Sequence, residues 1–293
     1  MDMMDQFVEE RWRELQEMQR EDVRAREVDA DLKAETAYLR VRLADSYMRN
    51  GNIPRAIAEY KRALKLDKRN AAFHTRLADA YVAHEDISTA MSAYQTAMGF
   101  DPLLAEPHSS IGDLYLRYGK LRQALAQYRE AAQLEPERAY YHYQAADTLE
   151  RMGMMQNALD AMSQAAMLSP KIAFYRFRVA TLCQLLGRSE DAFFHLEWAC
   201  ALAPHDDYFL VRLAGVAIAT NRLGSGLERL SRAVTLRPRN QAYQRLLAEA
   251  FRLAHQSDQS DALMKRIGTL DAYDEIFVAR RMGEWKCEST TSA

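Results

Sequence analysis

The sequence predicts an all-α fold: a right-handed solenoid of about seven 34-residue helical hairpins, with a helical arm before it and a capping helix after it. Three observations carry that prediction. In residues 105–138, AEPHSSIGDLYLRYGKLRQALAQYREAAQLEPER, apolar or small residues fall at helical spacing on both sides of a glycine. Ile111 and Tyr115 precede Gly119; Ala124, Tyr128 and Ala131 follow it. The pattern then returns every 34 residues without an insertion. Its small first-helix residue reads Ala44, Ala78, Gly112, Ala146, Ala180, Ala214 and Ala248. Its second helix reads Ala56, Ala90, Ala124, Ala158 and Ala192, each followed four residues on by Tyr60, Tyr94, Tyr128, Met162 or Leu196. Lastly, Pro102, Pro136, Pro170, Pro204 and Pro238 close successive units, and a proline cannot continue a helix.

This period and these residues resemble the tetratricopeptide repeat. The resemblance covers Ala37 to about Asp274, in frames 37–70, 71–104, 105–138, 139–172, 173–206, 207–240 and 241–274. It implies stacked hairpins that pack only on their neighbours and present a long concave surface. Repeats of this family serve as binding scaffolds, so the resemblance implies a protein that binds rather than catalyses.

Residues 1–36 are dense in Glu, Arg and Asp, lack Pro and Gly, and should be helical. Met4, Val8, Leu15 and Met18 lie near a 3.5-residue seam flanked by Phe7 and Trp12. Such a segment serves either as a cap on the first repeat, as an arm that docks on a partner or a second copy, or as a disordered tail. Phe7 and Trp12 are its candidate anchors, because aromatic residues dominate interfaces. In the first repeat, Asn52 can cap the second helix, with Pro54 in its first turn; Asp86 and Ser189 stand at matching junctions.

Repeats four to six drift, with Met162, Leu196 and Leu230 at the bulky second-helix position. The methionines around Met162 are read as adaptable core packing. Gly226 replaces the expected alanine and should soften its helix by about 1 kcal/mol. Repeat seven has Ser260, Met264 and Ile267 where Ala, Tyr and Ala are expected, so the register of its second helix stays open. Residues 272–286 can form a capping helix, with Ile276, Phe277, Ala279 and Met282 on its apolar side; residues 287–293 read as a frayed tail.

Composition narrows the function classes. Net charge is −2, which argues against nucleic acid, whose phosphates are bound by clustered Lys and Arg. Cys183, Cys200 and Cys287 have no zinc or disulfide spacing. The first residues lack the apolar run of a signal peptide, and no run of 18 apolar residues marks a membrane span. A reducing, cytoplasmic setting is expected. No phosphate loop, HExxH or GxSxG occurs, so neither catalysis nor a cofactor is expected. His74, His108 and His142 recur at one repeat position, but helix spacing of about 8–10 Å keeps equivalent side chains from converging on one ion. They are read as packed or edge-on histidines.

The family's groove is lined by the second, fifth, ninth, twelfth and thirteenth residues of each first helix. Carried onto this chain, the ninth position reads Asp45, Asp79, Asp113 and Asp147, an acidic ladder joined by Glu106 and Glu150. The second and fifth positions turn aromatic further on: Tyr140, Tyr143, Phe174, Phe177 and Tyr208. Arg49, Arg117 and Arg151 lie four residues after three of the aspartates, an ordinary helix-surface pairing. The ladder is therefore either self-paired or free to bind a basic or amide-rich segment, whose apolar side chains the aromatic stretch would anchor. The family's clamp for a C-terminal carboxylate uses Lys and Asn. Here those positions hold Val41, Thr75, Ser109 and the aspartates, so a chaperone-tail cofactor is not expected. The expected function is a non-enzymatic scaffold for a peptide or partner helix. The alternatives are a constitutive subunit of a larger assembly and a non-catalytic partner of an enzyme.

Overall fold

A computed structural model describes residues 31–267, 270 and 272–286, and every element among them is an α-helix. The chain divides into two compact units, residues 1–134 and 135–293. The expected anchors Phe7 and Trp12, the tail and Cys287 lie outside the described residues.

The first unit holds α1, described over residues 31–49, then α2 (Ile53–Leu66), α3 (Ala71–Ala83), α4 (Ile87–Phe100), α5 (Ala105–Arg117) and α6 (Leu121–Leu134). The second holds α7 (Ala139–Arg151), α8 (Met155–Leu168), α9 (Ala173–Leu185), α10 (Ser189–Leu202), α11 (Asp207–Ala219), α12 (Leu223–Leu236), α13 (Gln241–Leu253), α14 (Ser257–Met264) and α15 (Ala272–Lys286). Within each unit the two helices of a repeat pack together as a hairpin, from α3 with α4 to α13 with α14. The first helix is continuous across residue 36, so residues 31–36 belong to the first repeat's opening helix.

One backbone device recurs in every hairpin turn. Gly51, Glu85, Gly119, Gly153, Gly187, Asn221 and His255 all have positive φ, between 57° and 76°, at steps of 34 residues. A left-handed residue there lets the chain reverse while the next N–H bonds back into the finished helix. Lys120 N donates to Tyr115 O at 2.9 Å, and Gln256 N donates to Phe251 O at 2.9 Å. The second of these settles the seventh repeat: its frame holds through the turn. Its second helix is nevertheless short, with 8 residues against 14 in α12. Ser260 occupies the buried alanine position there with its hydroxyl unpartnered, which weakens this hairpin's packing.

The core is a spine of alanines, Ala56, Ala90, Ala124, Ala158 and Ala192, each fully buried, with the bulky residue four later packed beside it. Small residues let paired helices approach closely. Gly226 takes this furthest: a methyl there would come within 2.6 Å of Ile218 Cγ1, and α12 runs through it unbroken. The glycine expected to soften the helix is thus required by a close approach. Helix caps are mixed. Asp86 accepts from Thr89 N at 3.2 Å, but Asn52 makes no side-chain cap bond, and Arg188, not Ser189, stands at the N-cap of α10.

Candidate partner-binding surfaces

In the first unit the aspartate ladder is bonded across each hairpin. Tyr60 Oη donates to Asp45 at 2.5 Å, Tyr94 Oη to Asp79 at 2.6 Å and Tyr128 Oη to Asp113 at 2.6 Å. Each bond joins the first helix of a repeat to the fully buried ring at the heart of its second helix. Burial of the tyrosines, then the facing carboxylates, pushes the Tyr60 and Tyr94 hydroxyls above their ordinary range. Burial also raises the Asp79 carboxyl, against the hydroxyls of Tyr94 and Ser110, which favour its ionised form. The ladder is graded: Asp45 and Asp79 are half-buried, while Asp113 is exposed. The fit around Tyr128 is close, because a methyl on Gly112 would sit 2.7 Å from its ring.

The fourth aspartate is held differently. Met162 replaces the tyrosine, so no hydroxyl reaches Asp147 from that position. Arg151 Nε bonds Asp147 at 2.9 Å, the i, i+4 pair expected from the sequence. Arg178 of the next repeat bridges Asp147 at 3.1 Å and Glu150 at 2.7 Å. Arginine ties between repeats recur in this unit. Arg212 donates to Gln184, Arg188 to Gln156 at 2.9 Å, and Arg222 to Glu190 at 2.6 Å.

The aromatic positions do come together on α7, α9 and α11. Tyr143 packs 5.5 Å from Phe174 and 6.5 Å from Tyr140, centroid to centroid. Phe177 lies 5.7 Å from Tyr208 and stacks at 4.8 Å on Phe209, with the Arg212 guanidinium 5.7 Å from its ring. Tyr140, Phe174 and Tyr208 remain 37–42% exposed despite these contacts. This is an aromatic face that no described residue covers completely.

Beyond it the face is occupied. Helix α15 packs on α11 and α13, the first helices of repeats six and seven. The chain's own C-terminal helix thus fills part of the surface that the first helices of repeats six and seven present. The amphipathic side expected for α15 is revised, since Ile276 is 70% exposed while Val278 and Arg281 are buried. Gly215, at the ladder position of repeat six, faces Trp285: a methyl there would lie 3.2 Å from the indole nitrogen.

Each recurring histidine has its own neighbour. His74 Nε2 meets Lys68 O at 3.0 Å, His108 Nδ1 meets Gln127 Oε1 at 2.9 Å, and His142 Nε2 meets Pro136 O at 2.9 Å. Among the described residues no His, Cys, Asp or Glu cluster could hold a metal ion. Cys183 and Cys200 are buried free thiols, pushed by that burial to about 11 and about 12. No described helix is long and apolar enough to cross a membrane.

Sequence reading missed Arg178, Arg212, Arg281 and Trp285. The first two carried a signal, since they stand 34 residues apart.

Comparison with known proteins agrees with this geometry. Residues 41–104 and 110–171 match the family model described as tetratricopeptide repeat. Residues 41–104 and 110–171 are thus tetratricopeptide repeats, and the 34-residue frame of helical hairpins continues to His255. Among solved structures it is similar to pilF of Pseudomonas aeruginosa, at 19% identity and TM-score 0.59, covering 74% of this chain and 99% of that one. It is also similar to YrrB, described as a TPR protein with an unusual peptide-binding site, at 17% identity and TM-score 0.52, covering 61% and 93%. A third is the APC/C hetero-tetramer Cut9–Hcn1, at 17% identity and TM-score 0.52, covering 74% and 43%. At these identities the likeness is one of fold. No curated protein sequence matches the chain.

Proposed function

We propose that the protein is a non-enzymatic scaffold that holds a peptide or helix of a partner protein on its first helices. The observation that carries this reading is the aromatic face of α7, α9 and α11. Tyr140, Tyr143 and Phe174 form one group of touching rings and Phe177 and Tyr208 a second, on adjacent first helices and partly exposed. Exposed clustered aromatics mark interaction sites and supply most of the binding energy where they are buried by a partner. The peptide-binding site named for YrrB supports the same kind of ligand.

The aspartates take a secondary part. A carboxylate has about four lone-pair sites, and a tyrosine hydroxyl uses one. Asp113, exposed beside its Tyr128 bond, is the first candidate to meet a basic or amide group; Asp45, Asp79 and Asp147 are further candidates, and Arg49, Arg117 and Arg151 add charge four residues after three of these aspartates. A cytoplasmic setting fits the buried thiols of Cys183 and Cys200.

Peptides selected from a random library on the full chain test the reading. Tyr143→Ala with Phe177→Ala should weaken the selected peptides at least tenfold, read by fluorescence anisotropy. Unchanged affinity in that double variant would discard the aromatic face as the site.

A second reading, a constitutive subunit of a larger assembly, is favoured by α10. Phe194 and Trp198 lie one turn apart on its outer side, 56% and 39% exposed, with Arg176 against the indole at 3.7 Å. The N-terminal arm, with Phe7 and Trp12, would make a further contact with a partner or a second copy.

A further inference from the structure

The seat of α15 has the character of a binding site. It is made by α11 and α13, first helices like those that carry the aromatic face. Phe277, Arg281 and Trp285 follow one another at i, i+4 and i+8, one stripe of the helix. All three turn inward. The Phe277 ring lies 6.2 Å from Tyr243, Arg281 is 5% exposed, and Trp285 meets Gly215. The aspartate of the earlier repeats is absent at residue 215, which makes room for the indole.

As an occupant, α15 fits its seat poorly. It brings the buried Arg281 guanidinium up to Arg212, which is buried too. The groups facing Arg281 are Arg212 and Tyr208 from α11, and Glu284 and Arg280 from its own helix. Its ion pair, 3.1 Å to Glu284, is thus internal to α15, and the seat's buried acid, Glu249 on α13, pairs with Arg245 and Arg252 of its own helix instead. Burial first, then Arg212, holds Arg281 below its usual range. The Nε atoms of Arg281 and Arg212 and the indole nitrogen of Trp285 lack partners. Cavities of 420 and 700 Å³ flank the helix, the first beside Met264 and Val278, the second beside Leu253 and Trp285.

We propose that the α11–α13 face is a helix-binding site held in cis by α15, and that its partner is an amphipathic helix with large apolar residues eight apart and a carboxylate midway, where α15 carries Arg281. A carboxylate at that point would meet Arg212 as an ion pair in place of a like charge. The cis helix covers the apolar seat until such a competitor arrives, and its tether gives it a local concentration on the order of millimolar. The proposal rests on the scaffold reading and names the ligand class for one part of it.

Two synthetic peptides test it: the sequence of residues 270–288 with Cys287→Ser, and the same peptide with Arg281→Glu. The host is the full chain, unmodified or with Phe277→Ala and Trp285→Ala to loosen the cis helix. The glutamate peptide should bind the loosened host at least tenfold tighter than the arginine peptide, and at least tenfold tighter than it binds the unmodified chain. Arg212→Gln in the host should erase the preference between peptides. Equal affinities, or no binding by either, overturn the proposal. A second measurement avoids the loosened host altogether. The full chain with Arg281→Glu alone should slow hydrogen exchange of amides 272–286 several-fold; faster exchange there also overturns it. Failure in these assays is separable from failure of the scaffold reading, because Tyr143→Ala alone acts on α7, outside the seat, and leaves the Phe177 ring beside Arg212 in place.

Discussion

The two units wire the same fold position in opposite ways. In residues 31–134 the ninth residue of the first helix is an aspartate bonded to a tyrosine fifteen residues on, within its own hairpin. In residues 135–286 the aspartate at that position, Asp147, is met by Arg178 from 31 residues on, and other guanidinium links reach back 28 or 32 residues, from one hairpin to the one before. The exchange follows from two changes in the sequence. Met162, Leu196 and Leu230 remove the hydroxyl donor; Thr181 and Gly215 then remove the acceptor. Once the ladder position no longer has to answer a buried tyrosine, it is released for other uses. In repeat six it becomes a floor for the indole of Trp285. The first unit spends its inner carboxylates on folding, and the second leaves its inner face to aromatic rings and a docked helix.

The largest expected effect that could break this comparison is that of Asp79→Lys. An ammonium group would replace the acceptor of the Tyr94 hydroxyl and stand in the field of Arg76, in a half-buried place. Removing one side of a buried polar pair while adding a like charge should cost on the order of 3 kcal/mol. A urea melt measures it. A loss below about 1 kcal/mol would show that the carboxylate is a surface group, and would return the ladder to ligand binding. The result also bears on assay design, since charge reversal at Asp79 would perturb folding before it perturbed any ligand.

Tyr94→Phe should have a smaller effect, about 1–2 kcal/mol, because the ring still packs while the Asp79 carboxylate loses a donor. Its pH dependence is more telling. Burial raises the folded carboxyl of Asp79 above its unfolded value. Its ionisation therefore opposes folding: the penalty is complete above the folded pKa and relieved as pH falls through it. Without the Tyr94 hydroxyl, the folded pKa rises further and the penalty grows. Stability of Tyr94→Phe should thus fall more steeply from acid to neutral pH than that of the unmodified chain, while Asp79→Asn flattens the dependence. Parallel curves for all three proteins would exclude Asp79 as the titrating group.

Much of the fold could be read from the sequence because its marks are local and repeated. A small residue, a turn residue and a proline return every 34 positions, and each acts through its own backbone. Even Glu85, Asn221 and His255, which lack glycine's freedom, take the left-handed turn where the frame requires it. The site was only half legible. The aspartates stand out, but Tyr60, Tyr94 and Tyr128 read as core bulk, which hides their hydroxyls. The signal is present: aspartate and tyrosine occur together in three repeats, and where the fourth loses the tyrosine the fifth supplies an arginine at 178. Helix α15 was foreseen as a helix, but not its seat. Its inward stripe contains Arg281, and hydropathy never assigns a guanidinium to the buried side.

The smallest effect tests the other half of the comparison. Asp147 occupies the same repeat position as Asp79, yet Asp147→Asn should cost about 1 kcal/mol or less. Arg178 keeps Glu150 at 2.7 Å, and an asparagine preserves the shape of the lost group. What remains of the Asp147 contribution is charge on partly exposed side chains, with Arg151 more than half exposed. That contribution is open to screening, so about 1 M salt should shrink the difference between variant and unmodified chain. The Tyr94→Phe deficit, which arises from a buried hydroxyl, should persist in the same salt. If both differences screened alike, the distinction between a ladder spent on folding and one spent on inter-repeat charge would fail. If only that of Asp147 screened, the ladder would be two structures sharing one sequence pattern.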